Sequence, residues 1–329
     1  VLLAMLLLLG FAHAALLWWM GGQIQLALES WAAARRAQGW QVEYGPPGRG
    51  GWPLDAALRL PTVRLARGGL EWRAEAMRLS LRPWRPDRLH VTAEGAQSLA
   101  LGGAPMALQA GGLGADLTLN GNAPPLDGTL HGEALRLEGP TGPFSLENLQ
   151  ASFNSRGTTA TAAAEVAATA FNLRLHGLAL PGSQPLGQRI EEITVQAMLQ
   201  GAWGRSGPLS AQLAAWRDAG GRLEVQGMTL RWGSMAASAA ATLALDEALQ
   251  PSGAGTVRLA NPVQAVDALA AGGLMPPRTA AAARQILPLL TRLDSGGGVP
   301  VIELPLTLEN RALAAARIPL LRLAPVSWP

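Results

Sequence analysis

The sequence has no cysteine and no lysine, a single tyrosine and four phenylalanines, and only 15% of its residues are charged. Without cysteine there can be no disulfide framework, thiolate metal site or lipidated cysteine. So few Glu and no Lys exclude a coiled-coil composition. A hydrophobic fraction of 49% excludes a disordered chain. The net charge is only +3, and the pI near 10.7 is high because all 26 cationic residues are Arg. Arg-only usage in an Ala- and Gly-rich chain fits a GC-rich bacterial genome. Nucleic-acid binding calls for clustered cations interleaved with aromatics, whereas these arginines are mostly spread singly, so no nucleic-acid partner is expected. The length of 329 residues allows one large domain or two of ordinary size.

What is present begins with residues 1–20, VLLAMLLLLGFAHAALLWWM, and no charge appears before Glu29. About 20 apolar residues in a helix cross a bilayer core of about 30 Å. Trp18 and Trp19 stand where the aromatic belt of such a helix belongs, so they are the candidate membrane-interface residues. A cleavable signal peptide ending at Ala12-His13-Ala14 is the competing reading. The apolar run passes beyond that site through Leu16, Leu17 and Trp18, which favours an anchor. The first residue, Val, suggests an alternative or truncated start. His13 reads as a tolerated polar residue. After Gly21-Gly22, residues Ile24, Leu28, Trp31 and Arg35 share a helical face, with Gly39 as a stop. Residues 1–39 are therefore expected to form a transmembrane anchor with a juxtamembrane helix, and packing of that second helix on the following sheet is an equal alternative. The expected location is the bacterial inner membrane, single-pass, with the main domain in the periplasm.

From Trp40 onward the apolar period is two. It runs through Trp40-Val42-Tyr44, Leu54 to Leu60, Leu70 to Ala74, Leu79-Leu81, Leu89 to Ala93, Leu113 to Leu119, Phe171 to Leu175, Leu223-Val225 and Ile302 to Leu308. This alternation marks antiparallel strands with one buried and one solvated face. Turn signals separate them, among them Arg67-Gly68-Gly69, Gly102-Gly103, Asn120-Gly121-Asn122 and Gly296-Gly297-Gly298. Helical patterns interrupt at 208–219, at 262–271 behind the Asn261 cap and Pro262, and at 277–294 with Pro288 inside. The expected fold is mainly β: a long curved antiparallel meander with a few helices and an N-terminal membrane helix. Residues 40–329 form the exported β-rich domain, with two similar halves meeting near 181–186.

Chemistry-bearing motifs are missing. There is no Gly-x-Ser-x-Gly, P-loop, His-Glu-x-x-His or EF-hand pattern. His13, His90, His131 and His176 are scattered singly, without metal-ligand spacing. Glu191-Glu192 would point to opposite faces of a strand. No catalytic residue, metal or cofactor is expected. One stretch is denser in charge: Arg59, Arg64, Arg67, Arg73, Arg78, Arg82, Arg85 and Arg88 against Glu71, Glu75 and Asp87. Of these, Arg64, Arg73, Arg78, Arg82 and Arg85 are candidates to face anionic lipid headgroups. The alternative is the solvated face of a sheet whose Arg stems cover apolar neighbours. Trp216 and Trp232 are expected to anchor helix-to-sheet packing.

Residues 215–225, AWRDAGGRLEV, are followed by Leu230-Arg231-Trp232-Gly233 and by residues 245–253, LDEALQPSG. This series resembles the family known as domain of unknown function 2125, found mainly in alphaproteobacteria. The hydrophobic N-terminus and the Gly51-Trp52-Pro53 turn agree with it. The family has no established activity, so the resemblance implies no functional residues. More loosely, an anchor followed by a long meander is similar to AsmA-like envelope proteins, which implies a curved sheet enclosing an apolar groove. The expected function is to shield or transfer lipid acyl chains in envelope biogenesis, with the bilayer and acyl chains as partners. A non-enzymatic envelope scaffold or assembly factor with a closed core is the alternative, its helices at 208–219, 262–271 and 277–293 packing the sheet shut.

Overall fold

Helix α1 (Leu2–Ala37) runs unbroken through Gly21-Gly22. A computed structural model describes residues 2–119, 125–140, 142–156, 168–184, 186–201, 208–272, 276–293, 300–315, 318–326 and 328. The turns expected at Asn120-Gly121-Asn122 and Gly296-Gly297-Gly298 lie outside these residues. The chain divides into two compact units, Val1–Gly139 and Pro140–Pro329.

In the first unit α1 is followed by β1 (Gln41–Glu43), β2 (Gly48–Gly50), β3 (Ala56–Arg67), β4 (Leu70–Arg82), β5 (Arg85–Leu101), β6 (Met106–Gln109), β7 (Gly112–Thr118) and β8 (Asp127–Gly139). All pairings are antiparallel. β1 and β2 both join β3, then β3, β4 and β5 pair in chain order, and β6 and β7 lie between β5 and β8. The β3–β4 hairpin turns on Gly68 and Gly69, both at positive φ, as a two-residue turn matched to strand twist requires.

The core of this unit lies between α1 and the β3–β4 face. Leu17, Met20, Ile24 and Leu28 bury against Ala56, Leu58, Leu60, Val63, Leu79 and Leu81. The helix thus presents Leu17, Met20, Ile24, Leu28 and Ala32, spaced three or four apart, so its second half packs on the sheet. Trp31, expected on this face, is 39% exposed, and the smaller Ala32 takes the place nearest the sheet. Each fully buried leucine contributes about 1.5–3 kcal/mol. Gly21 and Gly22 face the Arg49 side chain at ordinary contact distance.

The second unit holds β9 (Gly142–Arg156), β10 (Ala168–Ala179), β11 (Arg189–Gln200), α2 (Leu209–Asp218), β12 (Arg222–Trp232), β13 (Met235–Leu245), β14 (Pro251–Ala260), α3 (Pro262–Ala271), α4 (Pro277–Leu290), β15 (Arg292–Leu293), β16 (Pro300–Glu309), β17 (Ala312–Ala315) and β18 (Ile318–Arg322). It is a meander: β9 to β14 pair in sequence, β14 joins β16, and β16, β17 and β18 follow in turn. Residues 181–184 and 186 lie in the connection between β10 and β11, inside this unit, whereas the two units divide at Gly139 and Pro140. Asn261 precedes α3 as expected but does not cap it. Its φ of 52° is left-handed, and its side-chain amide reaches the Ser234 carbonyl oxygen instead.

Candidate functional site

The sheet of the second unit is amphipathic across its whole width. Residues directly opposite in an antiparallel pair share a face. One such row runs Leu149, Leu175, Ile193, Leu230, Ala237, Leu259 and Ile302 from β9 to β16. Two residues along lies Ala151, Leu173, Val195, Met228, Ala239, Val257 and Leu304, and then Phe153, Phe171, Ala197, Val225, Ala241, Gly255 and Leu306. The intervening row on the opposite face is Gln150, Arg174, Thr194, Thr229, Ser238, Arg258 and Glu303. At about 4.8 Å per strand and 3.4 Å per residue, these three apolar rows span about 30 Å by 14 Å.

This face is not sealed. Among the described strand residues from β9 to β14, Ile190 is the one buried apolar side chain. Phe171 and Met228 are 42% and 39% exposed, and apart from the buried Ile302 of β16 the other apolar residues of those rows are half-buried. The helices explain why. α2 buries Leu213 and Trp216: Trp216 lies against Gly201 and Gly221, donates to the Gln200 carbonyl oxygen, and so closes the end of the β11–β12 hairpin. Arg217 of α2 reaches the carbonyl oxygens of Asp246 and Glu247 in the β13–β14 turn. α3 packs on α4 and meets β13 and β16 near the buried Ile302. Trp216 thus serves the packing role expected of it. Trp232 instead ties β12 to the Gly187 carbonyl oxygen in the neighbouring turn.

Small residues run down the middle of the face. β13 presents Ala237, Ala239 and Ala241, and β14 sets Leu259, Val257 and Gly255 beside them. A Cβ on Gly255 would lie 2.4 Å from the Ala240 carbonyl oxygen, so these two strands leave no room for side chains there. The larger Leu230 and Met228 of β12 on one side and Leu259 and Val257 of β14 on the other flank the β13 alanines.

In the first unit the same kind of row shows where α1 stops covering the sheet. Leu58, Leu79, Val91, Ala115 and Leu130 are successive cross-strand partners from β3 to β8. Exposure rises along it from 0% at Leu58 and 5% at Leu79 to 40% at Leu130.

The membrane-side candidates divide into two groups. Trp18 and Trp19 are exposed on α1, and Arg49 lies over the Trp18 ring at 4.9 Å. With Gln25 and Glu29 they line a cleft of roughly 330 Å³. Three of the five candidate arginines hold carboxylates on the sheet. Arg64 donates to Glu43 and Glu71, Arg73 to Glu71, and Arg78 to both oxygens of Asp55. The Arg64 hydrogen bond, seconded by Arg73, holds the Glu71 carboxyl below its ordinary range and raises Arg64 in turn. Arg59 pairs with Glu94. Arg82 and Arg85 stand exposed at the tip of the β4–β5 hairpin, with no carboxylate partner among the described residues. Glu43, Asp55 and Glu94 all lie outside residues 59–88, so a charge count over that window overstates the free positive charge.

Ser80, His90 and Asp116 are lateral neighbours on β4, β5 and β7, and His90 Nδ1 meets Asp116 Oδ1. Nucleophilic catalysis needs a serine–imidazole hydrogen bond and oxyanion donors. The Ser80 hydroxyl makes no such bond, and its flanking strands commit their amides to the ladder. Among the described residues no group of three or more His, Cys, Asp or Glu could hold a metal. Glu191 and Glu192 point apart as expected: Glu191 accepts from the Gly233 amide, and Glu192 faces Arg174.

Residues 18–324 match the family described as an uncharacterized protein conserved in bacteria (DUF2125), and the chain belongs to that family. No curated protein and no solved structure matches it.

Proposed function

We propose that this member of the uncharacterised bacterial DUF2125 family is a membrane-anchored, non-enzymatic protein of the periplasm that shields or transfers lipid acyl chains in envelope biogenesis. The observation that carries the reading is the open apolar face of the second unit. Contiguous exposed apolar patches beyond a few hundred Å² mark binding surfaces, and the rows of this face span about 30 Å by 14 Å. Its chemistry suits a hydrocarbon ligand, since the rows offer no charge and no hydrogen-bonding side chain. A polar ligand would leave its own groups unpaired there. The β13 alanines, flanked by Leu230 and Met228 of β12 and by Leu259 and Val257 of β14, offer a shallow track along which an extended chain can lie. The apolar N-terminal helix supports the reading, since a membrane anchor would hold the protein beside a source of such chains.

The test is gentle extraction of the full chain followed by mass spectrometry of bound lipid. Stoichiometric phospholipid or acyl-chain recovery is the expected result. A folded, lipid-free protein from the same extraction would overturn it. A scaffold with a closed core is supported only in the first unit, where α1 covers Leu58 and Leu60.

A further inference from the structure

We infer that residues 51–55 and the β4–β5 hairpin tip form a second membrane contact, which seats the end of the first unit's sheet on the bilayer beside the helix. The inference rests on reading α1 as the membrane anchor. His13 lies inside the apolar run of that helix, yet its Nε2 is 2.6 Å from the carbonyl oxygen of Pro53. The hydrogen bond fixes the depth of the loop. His13 is five residues, about 7.5 Å along the axis, on the apolar side of Trp18. A loop held at that level sits at the headgroup–acyl boundary, the 5–10 Å depth that interfacial segments reach.

The loop has the side chains for it. Trp52 and Leu54, on either side of Pro53, are 71% and 67% exposed. The loop is also rigid. The amides of Leu54 and Asp55 both donate to the Gly51 carbonyl oxygen, and Arg78 grips both oxygens of Asp55. Gly51 has φ of +96°, and a Cβ there would lie 2.4 Å from the Asp55 carbonyl oxygen. Exposed apolar residues on a braced turn cannot fold back to hide from water, so an apolar medium stabilises them.

Register puts the hairpin tip alongside. Ala56, next to Asp55, pairs with Leu81, so Arg82 and Arg85 emerge at the same end of the sheet with Trp84, which is 62% exposed. Trp84 adds an interfacial ring, and the two exposed guanidiniums complement anionic headgroups while their stems lie along apolar surface. The occupant is therefore the bilayer that already holds α1.

The cysteine-free chain makes each introduced thiol a unique label. The full chain carrying Leu54→Cys, Trp84→Cys, Leu9→Cys or Asn172→Cys is reconstituted in phosphatidylethanolamine–phosphatidylglycerol vesicles. A nitroxide at each position reports collision with oxygen against a water-soluble nickel chelate. The expected result is an oxygen-to-nickel ratio at Leu54, Trp84 and Leu9 several-fold above that at Asn172. An apolar reading at Leu9 with an aqueous one at Leu54 overturns the loop contact and leaves the anchor standing. Aqueous readings at both Leu9 and Leu54 overturn the anchor and the loop contact together. If circular dichroism shows the Leu54 variant misfolded, the Trp84 reading decides in its place.

Discussion

Arg78 donates to both carboxylate oxygens of Asp55, each at 3.1 Å, and thereby joins the middle of β4 to the loop that precedes β3. An arginine that sequence alone would aim at lipid headgroups is spent on holding a turn. Replacing Asp55 by Asn should destabilise the first unit by about 1 kcal/mol, since the pair is only partly shielded from water. Limited proteolysis should then cut within residues 51–55 faster than in the wild type. An unchanged cleavage rate would show that the pair does not hold the turn.

The two units should respond differently to loss of a core leucine. Leu60 is wholly buried under α1, so Leu60→Ala should cost about 2–5 kcal/mol. Leu230 lies half-buried on the open face of the second unit, and Leu230→Ala should cost clearly less. Urea unfolding in mild detergent, followed through tryptophan fluorescence and hydrogen exchange, separates the two. Equal losses would mean that the second face is sealed in solution.

Acid should loosen β3 from β4 through Glu71. Its carboxyl is held below the ordinary range by Arg64 and then Arg73. A depressed carboxyl stabilises the fold fully above its unfolded value, near 4.3, and loses that contribution as pH falls through the folded value. The wild type should therefore lose thermal stability below about pH 4 more steeply than Glu71→Gln. Parallel acid limbs for the two proteins would sink the assignment.

A matched pair on β13 tests the lipid face. Ala241 points to the apolar side, between Val225 and Gly255, while Ala240 points to the other, opposite Thr256. Ala241→Asp should reduce co-extracted lipid several-fold, and Ala240→Asp should leave it unchanged. Equal recovery from both would remove the face from the binding surface. Circular dichroism checks that both remain folded.

Gly221 should tolerate no side chain. A Cβ there would lie 2.3 Å from the Trp216 ring, which has no slack because its Nε1 is bonded to the Gln200 carbonyl oxygen. Gly221→Ala should cost about 1–3 kcal/mol and displace α2. A wild-type melting temperature in this variant would contradict the packing.

Much of this architecture could be read from period-two alternation and turn residues, since those encode which face a strand buries. Leu58, Leu60, Leu79 and Leu81 announce the core of the first unit in that way. Other parts could not. β13 carries six alanines in eleven residues. Alanine is the strongest helix former, and only the ladders to β12 and β14 make this segment a strand. The length of α1 was nearly legible: Gly21 and Gly22 read as the join between an anchor and a juxtamembrane helix, and packing of Leu17, Met20 and Ile24 on the sheet carries one unbroken helix through them. The fate of the arginines was out of reach, because their partners Glu43, Asp55 and Glu94 come from other strands and loops. The His13–Pro53 contact spans 40 residues, and no local pattern foretells it.

From β10 to β13 each strand of the second unit bonds, among the described residues, only to its predecessor and its successor. Such an array is a ruler. Adding or removing one hairpin would change the length of the apolar track by two strand spacings, about 10 Å, without disturbing the register on either side. Relatives of different chain length can therefore span different distances with the same surface chemistry, and the reach of the track becomes a quantity that gene duplication can set in fixed steps.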